Sequence, residues 1–374
     1  METHRIHAPA VDAASRSRRR QRIGLFAVIA AVSTIGVLAV AAPAIAASVT
    51  VKAHPVLNSG AGSALTASST FSSSGHVSRF NGLTYTFSGT TISQINFRGA
   101  KTTVGTNDSS TISASFLNSA GTSIGSASTT LTGALTTFSQ TSTVVGAPSL
   151  PTYSAVAKTK LTLTETLVAT RDAFIQGPSA APAATIHDNE GANTVLTVSR
   201  NTATDRTNRA VVSFDFATIS TTGLTSATLV LTISSAASWV NGDTVTVYRV
   251  NASGTDWTQG NGNGATKGTG AGNTWNCTSD TDITDNGRDC AVADRWLGAD
   301  PGGTWGATPT AAAVAINQNQ TGTVSFNVTA DVVAGTTRGW LIKKTVETTT
   351  ASVNFSSREA GVGVAPKLVL VFGQ

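Results

Sequence analysis

Thr228-Leu229-Val230-Leu231-Thr232-Ile233-Ser234 places Leu229, Leu231 and Ile233 on one face of an extended segment. That alternation has the period of a half-buried strand, and no helical spacing fits it. The same pattern recurs on both sides. Upstream, Val212, Phe214 and Phe216 share one face of Arg209–Phe216. Downstream, Val245–Val250 follows the turn Asn241-Gly242-Asp243, and Val324, Phe326 and Val328 alternate later. Trp340–Lys343, Val353 with Phe355, and Leu368, Leu370 and Phe372 complete the series. Many short strands with regular turns point to an antiparallel sandwich or jelly roll from about Arg171 to Gln374. Two long Gly-, Asn-, Thr- and Trp-bearing segments interrupt it, roughly Asn251–Asn276 and Leu297–Thr321. Binding usually lives on such loops.

The preceding region, Ser48 to about Val168, has the same period. Leu83, Tyr85 and Phe87 alternate with polar residues, as do Ile95 with Phe97, and Ile112, Ala114 and Phe116. Asn118-Ser119-Ala120-Gly121 reads as a hairpin turn, and Leu161 with Leu163 marks a last strand. This predicts a Ser/Thr-rich β-sandwich over residues 48–168.

The first 47 residues differ in kind. Arg16, Arg18, Arg19, Arg20 and Arg22 precede an apolar run from Ile23 to about Ala42, and Ala44-Ile45-Ala46 follows. Basic, apolar, then small-x-small is the order of a secretory signal peptide, expected as a helix over residues 1–47. An uncleaved anchor is the competing reading, because about 20 apolar residues can span a bilayer. The segment carries six Arg against Glu2 and Asp12, a net +4 of the chain's +5. The remainder is therefore near +1. That leaves no basic footprint for a nucleic acid.

Charged residues make up only 12% of the chain, so Ser, Thr, Ala and Gly supply most of its surface, as suits an extracellular β protein. Export permits a disulfide, and Cys277 and Cys290 are the two cysteines. They are expected to staple the Asp-, Asn- and Gly-rich loop between them.

Several strands carry a further pattern. Asp172-Ala173-Phe174-Ile175 opens the series and Asn193–Val198, Arg209–Asp215, Ser226-Ala227-Thr228-Leu229 and Val245–Val250 follow. Trp257, Gly339–Lys343, Phe355-Ser356-Ser357-Arg358-Glu359 and Pro366–Leu370 continue it in order. In these residues the C-terminal region resembles the DNRLRE domain family, also classed as carbohydrate-binding module family 96. The resemblance spans about 200 residues. It implies a jelly roll over residues 169–374, an extracellular setting and no catalysis. Trp257-Thr258-Gln259 departs from the family pattern, which has an acid at the third position.

The chemistry-bearing residues are few. His54, His76 and His187 lie far apart, no P-loop or H-E-x-x-H occurs, and no serine is read as a nucleophile elbow. Glycoside hydrolysis needs two facing carboxylates, and Glu190, Glu347 and Glu359 are the only glutamates of the C-terminal region. Glu359 is read as the partner of an arginine such as Arg358 or Arg209. The chain is therefore not expected to be an enzyme. Sugar rings stack their C–H faces on aromatic planes, which makes Trp239, Trp257, Trp275 and Trp305 the candidate glycan contacts. Anchoring of large loops is the alternative for each, and core packing is favoured for Trp257. Asp280, Asp282 and Asp285 approach a calcium loop ending at Gly287, but they miss the EF-hand spacing. A solvated acidic loop is the other reading. Asp172 is a further candidate ion ligand.

The sequence thus leads us to expect a secreted, all-β, non-catalytic protein at the cell surface. Its C-terminal module would bind polysaccharide or cell-wall glycan, with calcium as a candidate ion, and no stable membrane insertion would follow signal cleavage. The alternative is a structural subunit of a matrix, fibre or appendage that self-associates through sheet edges.

Overall fold

The computed structural model describes residues 66–67, 79–101, 107–132, 135–146, 149–177, 188–216, 219, 221, 223–251, 257–263, 266–285, 287, 289–290 and 305–373. The segment over residues 1–47 that is read from sequence as a signal peptide lies outside the described residues. Within them the chain is nearly all β, and the paired strands are antiparallel.

The first group of strands comprises β1 (Thr66–Ala67), β2 (Arg79–Ser88), β3 (Thr91–Lys101), β4 (Ser109–Leu117), β5 (Ser123–Thr132), β6 (Leu135–Thr143), β7 (Val145–Gly146) and β8 (Lys158–Val168). The second comprises β9 (Arg171–Gln176), β10 (Val195–Asn201), β11 (Arg206–Ser213), β12 (Leu224–Ser238), β13 (Thr244–Arg249), β14 (Val314–Ala315), β15 (Gly322–Asn327), β16 (Gly339–Lys344), β17 (Ala351–Ser356) and β18 (Lys367–Gly373). One short helix, α1 (Thr329–Ala334), packs against β12 and ends where Gly335 turns left-handed.

The alternation in the sequence is the alternation in space. Ala227, Leu229, Leu231 and Ile233 of β12 are buried, as are Ile112, Ala114 and Phe116 of β4. The turns follow from their side chains. Asn118 Oδ1 accepts from the amides of Ala120 (3.0 Å) and Thr122 (2.9 Å), closing the β4–β5 hairpin, and Gly121 supplies the positive φ that the turn needs. Trp340 is fully buried, stacked on Phe216 and tilted against Phe214.

The strands form two sheets. The smaller runs β1-β2-β3-β6. The larger runs β14-β13-β16-β11-β10-β17-β12-β18-β8-β4-β5-β7, with β15 on β12 and β9 on β11. Strand β18 is therefore flanked by β12 on one side and β8 on the other, with pairs from Lys367↔Val168 to Gly373↔Thr162. The hydrogen bonding that begins in the region before Val168 continues without interruption into the region after Arg171.

Buried polar groups in the first region are paired. Ser110 Oγ donates to Glu165 Oε2 at 2.6 Å and Lys101 Nζ to the carbonyl of Leu131 at 3.0 Å. Burial pushes the Lys101 ammonium below its ordinary range, against the pull of Glu165 and Asp108.

Candidate functional site

Residues far apart in the sequence meet where β9 begins. Asp172 projects from that strand and is buried. Its Oδ2 accepts from the Arg358 amide at 2.7 Å, and its own amide donates to Gln259 Oε1 at 3.1 Å. Gln259 Nε2 donates to Glu359 Oε1 at 2.7 Å and to the Gly191 carbonyl. Ser357 Oγ accepts from the Glu359 amide at 3.1 Å and donates to the carbonyl of Asn193 at 2.7 Å, which fixes the turn after β17. Arg358 also holds the Thr170 carbonyl and lies 3.6 Å from the Glu359 carboxylate. Glutamine at 259 is what makes this junction work. A carboxamide can both accept from the Asp172 amide and donate to Glu359, whereas a carboxylate there could still accept but would lose the donor and repel both acids.

Glu359 follows Arg358 and so brings a second carboxyl group close to Asp172. Burial, and then the charge of Glu359, push Asp172 well above the usual carboxylate range, although the Arg358 amide opposes them. Asp172 Oδ1 is buried and receives no hydrogen bond.

Asn189 organises the floor beside this junction. It is fully buried, and its Nδ2 donates to the carbonyls of Gln259 (2.7 Å) and Asn273 (2.8 Å). Its Oδ1 accepts from the amides of Gly191 (3.1 Å) and Gly262 (2.8 Å). Gly260 packs so closely on this carboxamide that a Cβ would fall 2.4 Å from Oδ1. Next to it, burial raises the Glu190 carboxyl to about 7, with Asp188 adding to the rise and the Asn193 hydrogen bond and Arg206 opposing it.

A second cluster forms on β11, β13 and β16. The Arg209 guanidinium lies 4.8 Å from the Trp275 ring centre and 5.7 Å from that of Trp305. Its Nε and Nη2 grip Glu347 at 2.9 and 2.7 Å, and Lys343 Nζ approaches the same carboxylate at 3.3 Å. Burial alone would raise Glu347, but Arg209 and Lys343 overcome it and hold the carboxyl below its usual range. Tyr248 is half-buried and stands edge-on to Trp305, with ring centres 4.9 Å apart. Burial, aided by Glu347, pushes its phenol up.

All four candidate glycan tryptophans are buried, as the core packing favoured for Trp257 and the loop-anchor alternative for Trp239, Trp275 and Trp305 require. Trp239 and Trp257 are fully enclosed, donating their Nε1 to the Asp243 carbonyl (3.2 Å) and Ser213 Oγ (2.7 Å). Trp275 is 8% exposed and Trp305 3%. Trp257, Trp275 and Trp305 share one apolar cluster with Ile175, Val211 and Leu341. An indole removes a large apolar area from water, so Gly- and Asn-rich loops use it as an anchor.

The disulfide Cys277–Cys290 is present. The acids near it are not drawn to a common point. Asp282 Oδ1 accepts from the amide and hydroxyl of Thr284, which keeps this exposed carboxyl below its usual range. Asp285 Oδ1 accepts from the Gly287 amide, while Asp280 is buried and accepts from the Asp289 amide. Among the described residues no group of three or more His, Cys, Asp or Glu could hold a metal ion. Glu359 pairs with Arg358, as one sequence reading had it, and Arg209 takes Glu347 instead.

Gly121-Thr122-Ser123-Ile124-Gly125 spells G-x-S-x-G, a match that the sequence reading passes over. It occupies the β4–β5 hairpin, not a strand-to-helix turn, so it is no nucleophile elbow. The sequence reading also misses Asn189 and the Arg209–Glu347 pair, since neither belongs to a local motif.

Among the described residues no helix is long and apolar enough to cross a membrane. In comparison with known proteins, no family model matches the chain and no curated protein matches it.

Proposed function

We propose that this is a secreted, non-catalytic protein whose C-terminal region is a jelly roll of the DNRLRE kind that binds polysaccharide. The observation that carries the reading is the half-buried Tyr248 ring, edge-on to Trp305 and bordered by Lys343, Glu347 and Arg209. An aromatic face beside fixed charged donors and acceptors is the composition of a glycan subsite. The convergence of Asp172, Gln259 and Ser357–Glu359 supports the family resemblance, since residues of three separate motif pieces meet at one junction. The disulfide supports export. Affinity electrophoresis of the chain from Ser48 onward, through gels containing plant, fungal or bacterial polysaccharides, tests it. Retardation in one gel is expected, with at least about tenfold weaker binding for Tyr248→Ala. That ring also packs on Trp305, so a lower melting temperature is expected too, and circular dichroism checks that the variant is folded at the temperature of the gel. Unretarded migration in every gel would sink the reading.

A structural role is the second reading, and the continuous hydrogen bonding through β12, β18, β8 and β4 favours it. A sheet that runs without a break and ends in free strand edges suits a spacer or assembly unit. Size-exclusion chromatography with light scattering decides it, because a strict monomer at high concentration counts against assembly.

A further inference from the structure

We propose that Asp172 and Glu359 bind a calcium ion between β9 and the turn that follows β17. The glycan subsite lies on other residues, so this site stands apart from it. Each carboxylate has a donor on one oxygen only. The Arg358 amide serves Asp172 Oδ2 at 2.7 Å, and Gln259 Nε2 serves Glu359 Oε1 at 2.7 Å. Hydrogen bonds to a carboxylate favour its ionised form. Glu359 nevertheless sets a second carboxyl group beside the first, because it follows Arg358, whose amide serves Asp172, and Asp172 Oδ1 is buried without any donor. Two neighbouring ionised carboxylates repel, and an orphaned buried oxygen costs free energy. A divalent cation seated against Oδ1 and shared with Glu359 removes both penalties.

The chemistry of the donors selects the ion. Both ligands are hard carboxylate oxygens, with no imidazole or thiolate in the cluster, which suits calcium over zinc or copper. The Glu359 side chain is 25% exposed, so water can complete the six to eight oxygens that calcium takes. The cradle is stiff. Gln259, the Asp172 amide and Ser357 hold the two acids in place, and Asn189 pins the Gln259 backbone. Two carboxylates on such a frame fit an affinity of about 0.1–1 mM, in the range of extracellular calcium modules.

The test uses the chain from Ser48 onward, stripped with chelator and titrated with calcium chloride alone by isothermal calorimetry. Binding near one equivalent is expected. A rise of about 3 °C in melting temperature is expected at about 10 mM calcium, with a smaller one in magnesium. Asp172→Asn and Glu359→Gln should each abolish the heat and the shift, while the double variant Asp282→Asn/Asp285→Asn keeps both. The proposal is overturned by absence of heat and shift in the unmodified chain. It is equally overturned if Asp172→Asn retains the shift, or if the Asp282/Asp285 variant loses it. If Asp172→Asn instead raises the melting temperature equally with and without calcium, and the unmodified chain ignores calcium, the pair holds a proton in place of an ion.

Discussion

The guanidinium of Arg209 lies 4.8 Å from the centre of the Trp275 ring, so an indole that is a candidate both for a sugar contact and for a loop anchor meets the protein's own cation. Trp305 borders the same guanidinium at 5.7 Å, and Glu347 takes its fork with two hydrogen bonds. Removing Arg209 would leave the largely buried Glu347 carboxylate compensated by Lys343 alone. Arg209→Met is expected to lower the unfolding free energy by about 3 kcal/mol, and Arg209→Lys by about 1–2 kcal/mol because an ammonium loses the bidentate geometry. Urea unfolding measures both. A loss in Arg209→Met below about 0.5 kcal/mol would show the pair to be peripheral.

What the sequence disclosed here and what it hid divide along physical lines. Leu229, Leu231 and Ile233 were legible because strand periodicity is a local property, and all three are buried in β12. The turn at Asn118–Gly121 was legible because Asn and Gly carry their own turn chemistry. Trp275 and Trp305 were not, since an aromatic in a Gly-rich loop has no period to say which way it faces. The pairing of β8 with β18 was equally hidden. Leu163 and Leu370 each announce a strand, but neither announces the other. Gln259 looked like a lost acid, and only its contacts with Asp172 and Glu359 explain why an amide stands there.

Glu190 makes stability depend on pH. Its carboxyl stands at about 7 in the folded chain against an ordinary value of 4.5, and it is 3% exposed. Between these values the folded state keeps a proton that the unfolded state has released. Stability contributed by the protonated group is therefore full below pH 4.5 and falls as pH rises towards about 7, by up to about 3 kcal/mol. Glu190→Gln keeps the shape and the contact with Asn193 but cannot titrate. Urea midpoints across this window should fall in the natural chain and flatten in the variant. Equal slopes in both would assign the dependence to another group.

Asn189 is asked for two donors and two acceptances at once, and its carboxamide meets all four. Asn189→Ala strands the amides of Gly191 and Gly262 and the carbonyls of Gln259 and Asn273. A loss of about 3 kcal/mol is expected, with faster hydrogen exchange at Gly262 than in β12. Asn189→Asp should be no better, because a carboxylate presents acceptors to two carbonyls. Should Asp restore the stability lost in Ala, the assignment of Nδ2 as the donor fails.

The alignment of β8 with β18 bears on whether the C-terminal region stands alone. Strand β18 buries Leu368, Leu370 and Phe372, and its backbone is bonded to β12 on one side and β8 on the other. Cutting the chain at residue 169 would strip one side and leave a row of unpaired amides and carbonyls from Lys367 to Gly373. An open, apolar strand edge of that length templates pairing with another chain. The fragment 169–374 is therefore expected to dimerise or aggregate at concentrations where the longer chain does not, and light scattering after size exclusion reads this directly. The longer chain should melt in one calorimetric transition, because no break in the sheet separates its two regions. Two well-separated transitions, or a monomeric fragment that melts as the full chain does, would mean that the β8–β18 bonds join the regions without coupling them.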